Sequence, residues 1–283
     1  PAPERANYRQ VLLLGDLERA LRHINPHLPD TAIEQAVAIV AKPESLDTIV
    51  SNRGFHRLLL DGVPVEYKRD DEIIHDHAFL IDFADLKANR FRAINQFTLQ
   101  GSKQLRRPDI VCFINGLPLA VLELKSPTAE NVDIWDAFNQ IQTYKDEIPD
   151  LFAYNQAVVV SDGYNARVGS LTANQERFMP WRTIKHEDDK PLLDWQLETM
   201  VRGFFDRELL LDYLRYFVIF ETDSDRLIKK IAGYHQFHAV REAVKATVLA
   251  AQNPEQLFQA EKRANYACMV VPGSKKAGVV WHT

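Results

Sequence analysis

Asp109, Glu123 and Lys125 are the residues of this chain whose types and spacing can do chemistry together. Asp109 precedes an apolar run, residues 110–114, and Glu123 and Lys125 close a second, residues 117–124, with Asn115-Gly116 between the two. That pattern predicts a β-hairpin. Side chains two apart on a strand share a face, so Glu123 and Lys125 point together. A three-residue loop, Asn115-Gly116-Leu117, sets Asp109 opposite Glu123. A two-residue turn sets it opposite Leu122 instead, unless a bulge intervenes. The first pairing brings two carboxylates and one ammonium into one place. The carboxylates repel, and an unpaired buried charge costs on the order of several kcal/mol. A hard cation removes that difficulty. Mg²⁺ takes carboxylate and carbonyl oxygens, and the Leu124 carbonyl is a natural third protein ligand. Lys125 would orient or help deprotonate a metal-bound water while the metal stabilises charge on a phosphoryl oxygen, which is metal-assisted phosphodiester hydrolysis. The plain alternative is a strand end with solvated charges, where Glu123 or Asp109 pairs with Lys125 or Arg107.

Further residues bear on the choice. Gln140 and Tyr144 share one face of a predicted helix, about Ile134 to Lys145, that follows the hairpin. Such a face offers an amide and a phenol to a phosphate or to Glu123; otherwise it is ordinary polar surface. Lys103, Arg106, Arg107 and Lys125 gather at the same hairpin end, a local positive patch that suits DNA phosphates. The chain as a whole is acidic, with 34 Lys+Arg against 39 Asp+Glu and a net charge of −5, so contact with DNA must be local.

The elements that must hold these residues are legible in outline. The 283 residues are 46% hydrophobic and 26% charged, which excludes a disordered chain. Cys112 and Cys268 have no metal-ligand or redox spacing, as expected of buried thiols in a reducing compartment. No apolar run is long enough to span a bilayer, and a soluble cytosolic protein is the expectation. Residues 7–40 read as helical, with Asp30 or Thr31 capping a second helix, and a short third helix covers 52–60 before Asp61-Gly62. Residues 63–67, 78–83, 91–99, 110–114, 117–124 and 157–161 read as strands. Helices return from about Leu192, through 209–220 and 225–251, until Asn253-Pro254, and a last strand covers 278–281. The sum is an α/β fold, a mixed central sheet flanked by helices. His75-Asp76-His77 reads as a solvated turn, and the aromatic stripe Tyr213, Tyr216, Phe217 and Phe220 as core or an interdomain seam.

RRPDIVCFINGLPLAVLELKSP, then WDAFNQIQTYKDEIP and VVVSDG, resembles the nuclease domain of the restriction subunit of type I restriction-modification enzymes, a branch of the PD-(D/E)xK nucleases. The likeness continues through GFHRLLLDGVPVEY, AINQFTLQG, ARVGSLTANQERFMPWRT and GYHQFHAVREAV, and so covers nearly the whole chain in order. It implies that Asp109 and Glu123 bind Mg²⁺, that Lys125 is the catalytic lysine, and that Gln140 and Tyr144 are the QxxxY pair supporting the active site and DNA contact. Gln236 then resembles the adenine-recognising glutamine ahead of a superfamily 2 motor. The segment PGSKKAG, residues 272–278, does not match the phosphate-binding GxxxxGK[ST] loop. ATP hydrolysis is therefore expected of the intact subunit rather than of this chain.

The resemblance also implies a helix with a further acid near the metal, ahead of the segment beginning at Pro1, for which Glu66 is a candidate stand-in. It divides the chain into an endonuclease domain, 1–200, and a helical linker with the first part of an ATP-driven translocase, 201–283. Double-stranded DNA and the modification and specificity subunits are the implied partners, with S-adenosylmethionine in the modification subunit and no membrane. The implied setting is bacterial or archaeal cytoplasm and the implied task phage defence. Two alternatives stand beside it: a repair or recombination nuclease of the same superfamily, and a catalytically silent module for docking DNA or protein.

Overall fold

The computed structural model describes residues 5–128, 132–184, 189 and 195–251. Helices α1 (Leu14–Ile24), α2 (Asp30–Val40) and α3 (Thr48–Asp61) come first, then the hairpin β1 (Val63–Arg69) and β2 (Glu72–Ala78). Strands β3 (Phe91–Asn95), β4 (Leu99–Gln100), β5 (Leu105–Arg106), β6 (Ile110–Ile114) and β7 (Leu117–Leu124) lead to helices α4 (Ile134–Glu147) and α5 (Pro149–Phe152). Strands β8 (Ala157–Ser161) and β9 (Ala166–Gly169) follow. The short helix α6 (Gln196–Thr199) widens into a π-turn at Met200–Phe204 before α7 (Arg207–Tyr216), the hairpin β10 (Val218–Asp223) and β11 (Arg226–Ile231), and α8 (Tyr234–Ala251). The chain forms two compact units, 1–231 and 232–283, and the described part of the second, residues 232–251, is α8 with the two residues before it. Among the described residues no helix is long and apolar enough to cross a membrane.

The first unit is mixed α/β. Its central sheet has the order β3-β6-β7-β8-β9, antiparallel except between β7 and β8, which α4 and α5 connect. A parallel pair needs such a crossover, and covering by helices explains why β8 is buried at every position and β7 at all but its last. Helix α4 begins at a capping box, the Asp133 carboxylate accepting from Trp135 and Asp136 N–H, and packs Ala137, Phe138, Ile141 and Tyr144 inward over β7 and β8.

The β6–β7 connection is a two-residue turn, with φ of 53° at Asn115 and 80° at Gly116, the left-handed pair that a tight hairpin needs. Asn115 is fully buried and fully engaged. Its amide donates to the Leu80 carbonyl and Asn89 Oδ1, both 2.9 Å, and its Oδ1 accepts from Arg90 N–H at 2.8 Å. The Gly116 carbonyl accepts from Leu13 N–H at 3.0 Å, so the start of α1 rests on the turn. Beyond the turn the register breaks: Phe113 pairs with Pro118 but Cys112 with Ala120, leaving Leu119 as an extra residue on β7. Pro118 brings no N–H to the ladder, which is why a proline inside a central strand marks a bulge.

Several elements depart from the sequence expectation. Residues 7–13 are not helical, and α1 starts at Leu14 with Asp16 held between Arg90 and Arg92 at 2.9 and 2.8 Å. Pro29 precedes α2 with no side-chain cap, whereas Asp47 caps a third helix that starts earlier than expected. His75-Asp76-His77 lies in strand β2, which pairs with β1 across Asp70-Asp71, both at positive φ. Residues 79–83 are not a strand, and residues 91–99 break at Gln96. Residues 218–231 form a hairpin instead of helix, because Ser224 and Asp225 supply a left-handed turn between β-branched and aromatic runs. Strand β9 was not anticipated. Cys112 is a free thiol that burial pushes up to about 12; Cys268, the 253–254 break, the 272–278 segment and the strand at 278–281 lie outside the described residues.

The β10–β11 hairpin is fastened to the unit by Lys229, which is 1% exposed. Its ammonium donates to Asn52 Oδ1 (2.9 Å), the Asn155 carbonyl (2.8 Å) and Gln156 Oε1 (2.9 Å), one acceptor for each N–H. The Lys229 backbone carbonyl accepts from Ser170 and Thr172 hydroxyls at 2.6 and 3.0 Å. Burial lowers the lysine's proton affinity well below its ordinary value. It also sets the state of His56, whose Nδ1 lies 2.9 Å from Gln156 Oε1 and whose Nε2 is buried without a partner. Since Gln156 Oε1 is an acceptor here, the neutral Nδ1–H tautomer is the one that fits.

Substituting Gly116→Ala forces a left-handed φ on alanine and drives its Cβ to 2.4 Å from the Leu13 carbonyl. The expected loss is about 2–4 kcal/mol, read as a lowered urea midpoint. His56, lowered to about 4 by burial first and by the Lys229 charge second, binds its proton only on unfolding between pH 6.5 and 4. Its stabilisation is complete above pH 6.5 and is lost as pH falls through that window. Between pH 7 and 4.5 the chain should lose about 2–3 kcal/mol through this residue, and His56→Gln should flatten that part of the stability–pH curve.

Candidate functional site

The bulge at Leu119 decides where the acids meet. With Ile110 opposite Leu122, one further step puts Asp109 opposite Glu123, as the three-residue loop had been expected to do. A two-residue turn plus one extra residue gives the same phase. The preceding strand continues the row: past Asn95↔Ile110, Gln96 N–H donates to the Asp109 carbonyl at 2.8 Å. On the other side Glu123 pairs with Val160 of β8. Gln96, Asp109 and Glu123 are thus successive cross-strand neighbours at the ends of three strands, and neighbours in such a row project from one face.

The Asp109 carboxylate is oriented by two neutral donors. Oδ2 accepts the Leu124 N–H at 2.8 Å and Oδ1 accepts Gln96 Nε2 at 3.0 Å. Leu124 therefore reaches the pair through its amide N–H. Glu123 is 4% exposed; its Oε1 lies 3.3 Å from Lys125 Nζ, and its Oε2 is buried with no hydrogen-bond partner. Burial and the nearby Asp109 charge push Glu123 up to about 7, against the pull of Lys125. Two acids face one ammonium, and one buried carboxylate oxygen stays unmatched.

Tyr144 closes the site from α4. It is buried, and its hydroxyl donates to the Arg107 carbonyl at 3.4 Å. Burial and then the Glu123 charge raise its proton affinity, with the Gln140 amide one turn away acting in the opposite sense, so the phenol stays a donor. The Glu123 carboxylate acts on Tyr144 by its charge and by close polar contact. Gln140 is half-buried on the same helix face. The basic patch is divided. Arg106 makes a bidentate pair with Glu147, at 2.7 and 2.5 Å, while Lys103 and Arg107 are exposed. Glu66 sits on β1 beside His75 at 3.1 Å, its N–H bonded to Gln35 of α2. Gln236 is on α8 in the second unit, its Oε1 accepting from Gly233 N–H at 2.9 Å. Among the described residues no three His, Cys, Asp or Glu side chains gather as a metal cluster. Gln96 was not singled out in the sequence; the signal for it is the short distance in the strand row from an exposed polar residue to Asp109.

A family model described as type I restriction enzyme R protein N terminus matches residues 1–177. The type I restriction enzyme HindI endonuclease subunit of Haemophilus influenzae is 42% identical over 283 residues, which cover 99% of this chain and 25% of that protein. The putative type I restriction enzyme MjaIXP endonuclease subunit of Methanocaldococcus jannaschii is 30% identical over 298 residues, 99% of this chain and 27% of that protein. The type I restriction enzyme EcoprrI endonuclease subunit of Escherichia coli is 28% identical over 184 residues, 60% of this chain and 58% of that protein. The chain spans about a quarter of the length of the first two relatives.

Because Glu123 has its proton affinity raised by folding, its charged form opposes folding at pH values above about 7, and no such cost exists below its unfolded value near 4.5. Glu123→Gln should therefore stabilise the metal-free protein at pH 8 by about 1–3 kcal/mol, seen as a higher denaturant midpoint. An unchanged or lower midpoint would mean that the Lys125 pair already offsets the burial.

Proposed function

The chain belongs to the type I restriction enzyme R protein N-terminal family, and from that premise we propose that it is the part of a type I restriction subunit that cuts double-stranded DNA. The observation that carries the reading is the convergence of Asp109, Glu123 and Lys125 on one face of adjacent strand ends. A metal-dependent nuclease of the PD-(D/E)xK kind needs two acids and a lysine in that relation.

The donor set suits a hard divalent cation. Glu123 Oε2 is a buried carboxylate oxygen without a partner, and the donors on Asp109 are neutral, so the two acids share a single ammonium and keep oxygen lone pairs for a cation. Asp109 and Glu123, with the Leu124 carbonyl, would hold Mg²⁺, which when bound supplies charge stabilisation at a phosphoryl oxygen and acidifies a water. The rest falls to the chain. Lys125, half-buried and tethered to Glu123, orients the attacking water and offsets charge growing on phosphorus. Tyr144 offers a proton-bearing hydroxyl rather than a base, and Gln140 steadies it. Attack is in line and needs no covalent intermediate. Lys103 and Arg107 are exposed cations fit to meet DNA phosphates, while Arg106 serves them indirectly by fixing the β5 end to α4 through Glu147.

The wider reading extends to the whole subunit. It would continue into an ATP-driven translocase, with Gln236 near its adenine site and the division between endonuclease and motor segments near residue 200. It would work with modification and specificity subunits, the former carrying S-adenosylmethionine, in bacterial or archaeal cytoplasm as a defence against phage DNA.

The test is made in the assembled complex with the full-length subunit, following DNA cleavage and DNA-dependent ATP turnover in one sample. Lys125→Ala and Asp109→Ala should each reduce cleavage by about 10²-fold or more while ATP turnover persists. Persistence of both activities would overturn the nuclease assignment and leave a docking module. Loss of both, with the fold retained, would make the site part of the motor's coupling rather than of phosphodiester chemistry.

A further inference from the structure

Gln96 stands where β3 leaves the sheet, directly across from Asp109. Its side-chain amide donates to Asp109 Oδ1 at 3.0 Å, and the residue is exposed. Resting on the nuclease reading above, we propose that Gln96 is a positioning residue: it holds the Asp109 carboxylate in the orientation that receives the metal.

The chemistry of the two donors on Asp109 supports this. A carboxylate has two oxygens and about four lone-pair directions, so one hydrogen bond to each oxygen fixes its plane and leaves a lone pair on each for a cation. Leu124 N–H takes Oδ2 and the Gln96 amide takes Oδ1. Neither carries charge. A lysine or arginine in place of Gln96 would orient the same oxygen but cancel the charge that attracts the metal. Glu123 is treated differently, with an ammonium on one oxygen and nothing on the other. Asp109 is therefore the acid of the pair whose two oxygens are both set by neutral donors. Partners that orient a metal's ligands are worth about 10–100-fold in metal affinity when removed.

The backbone carries a second, independent indication. Gln96 has φ of 52°, in the left-handed region that a non-glycine residue enters at a cost of about 1–3 kcal/mol. The surroundings enforce it. Gln96 N–H is bonded to the Asp109 carbonyl at 2.8 Å, Phe97 N–H to the Pro108 carbonyl at 3.2 Å, and the Phe97 ring is buried edge-on to Phe113 at 5.1 Å, with Arg5 stacked over it at 3.8 Å. A strained residue pinned on both sides, whose side chain bonds the neighbouring acid, is what a pre-set ligand orientation requires.

The experiment uses the full-length subunit, alone for metal binding and assembled with its partner subunits for cleavage, with Gln96→Ala and Gln96→Gly. Mn²⁺ binding without nucleotide or DNA is read by electron paramagnetic resonance, and cleavage is read against Mg²⁺ concentration. Both variants should weaken Mn²⁺ binding about 10–100-fold and move the Mg²⁺ half-saturation upward by a similar factor, with cleavage partly recovered at high Mg²⁺. Glycine should unfold at a higher temperature than alanine, because it accepts the left-handed backbone, yet bind metal no better. If glycine restored metal affinity and cleavage, Gln96 would matter only for backbone strain. Wild-type Mn²⁺ affinity in both variants would also overturn the proposal. Asp109→Ala separates the two levels: if it binds Mn²⁺ and cuts normally, the nuclease reading itself fails. If it is inactive while both Gln96 variants behave as wild type, only the role of Gln96 fails.

Discussion

The phase of β6 against β7 is the constraint on which the site depends. A two-residue Asn-Gly turn, left to itself, would carry a regular ladder that puts Asp109 across from Leu122. One extra residue, Leu119, moves the partner of Asp109 on by one and brings Glu123 opposite. The shift has a local cause in Pro118, which cannot donate to β6. The extra residue is also used, because its carbonyl accepts Gln156 N–H at 2.6 Å and so fixes the entry to β8. A single irregularity thus aligns acids on one side of β7 and sets the parallel partner on the other. The tight turn beyond it is not free to compensate, since Asn115 is locked by four hydrogen bonds and Gly116 lies against the start of α1.

From that alignment follows a deliberately uneven distribution of charge. Glu123 is buried under α4, tethered to Lys125 on one oxygen and unmatched on the other. Asp109, at the half-buried strand end, has both oxygens engaged by neutral groups. The two acids therefore differ in what they lack: Glu123 lacks a partner for one atom, and Asp109 lacks a countercharge. The adjacent cations are arranged so as not to supply either. Arg106 is consumed by Glu147, and Lys103 and Arg107 remain at the surface. Packing on α4 sets the distance of Tyr144 from this pair, so the helix that completes the fold also completes the polar surroundings of the site.

The hairpin, the post-hairpin helix and the buried strand at 157–161 were legible because each has a strong local pattern: apolar runs about Asn-Gly, a helical apolar period, and an uninterrupted β-branched run. The pairing of Asp109 with Glu123 was legible only as one of two registers. Pro118 was the residue in the sequence that favoured the bulged register. The hairpin at 218–231 was hidden by the helical period that runs into it from Leu209, and the turn residues Asp223-Ser224-Asp225 were the contrary signal. Strand β2 was hidden by its own polarity, because a strand packed on one side only can carry a polar run such as His75-Asp76-His77. Gln96 had no local signature. Its significance comes from a row across three strands, a relation between residues 13 and 27 positions apart that no periodicity contains.

Lys229 gives the β10–β11 hairpin a mechanical meaning. Two residues beyond it β11 ends and the chain passes directly into the second compact unit. Any tension drawn along the backbone at that crossing arrives first at a strand whose carbonyl is bonded to Ser170 and Thr172 and whose ammonium is seated among Asn52, Asn155 and Gln156. Pulling the strand out would part the buried Lys229 head from three acceptors together, so the contact is costly to loosen by halves. A fastening of that kind is stiff and brittle. It ties the last strand of the first unit to α3 and to the residues that lead into β8, the strand whose Val160 pairs with Glu123.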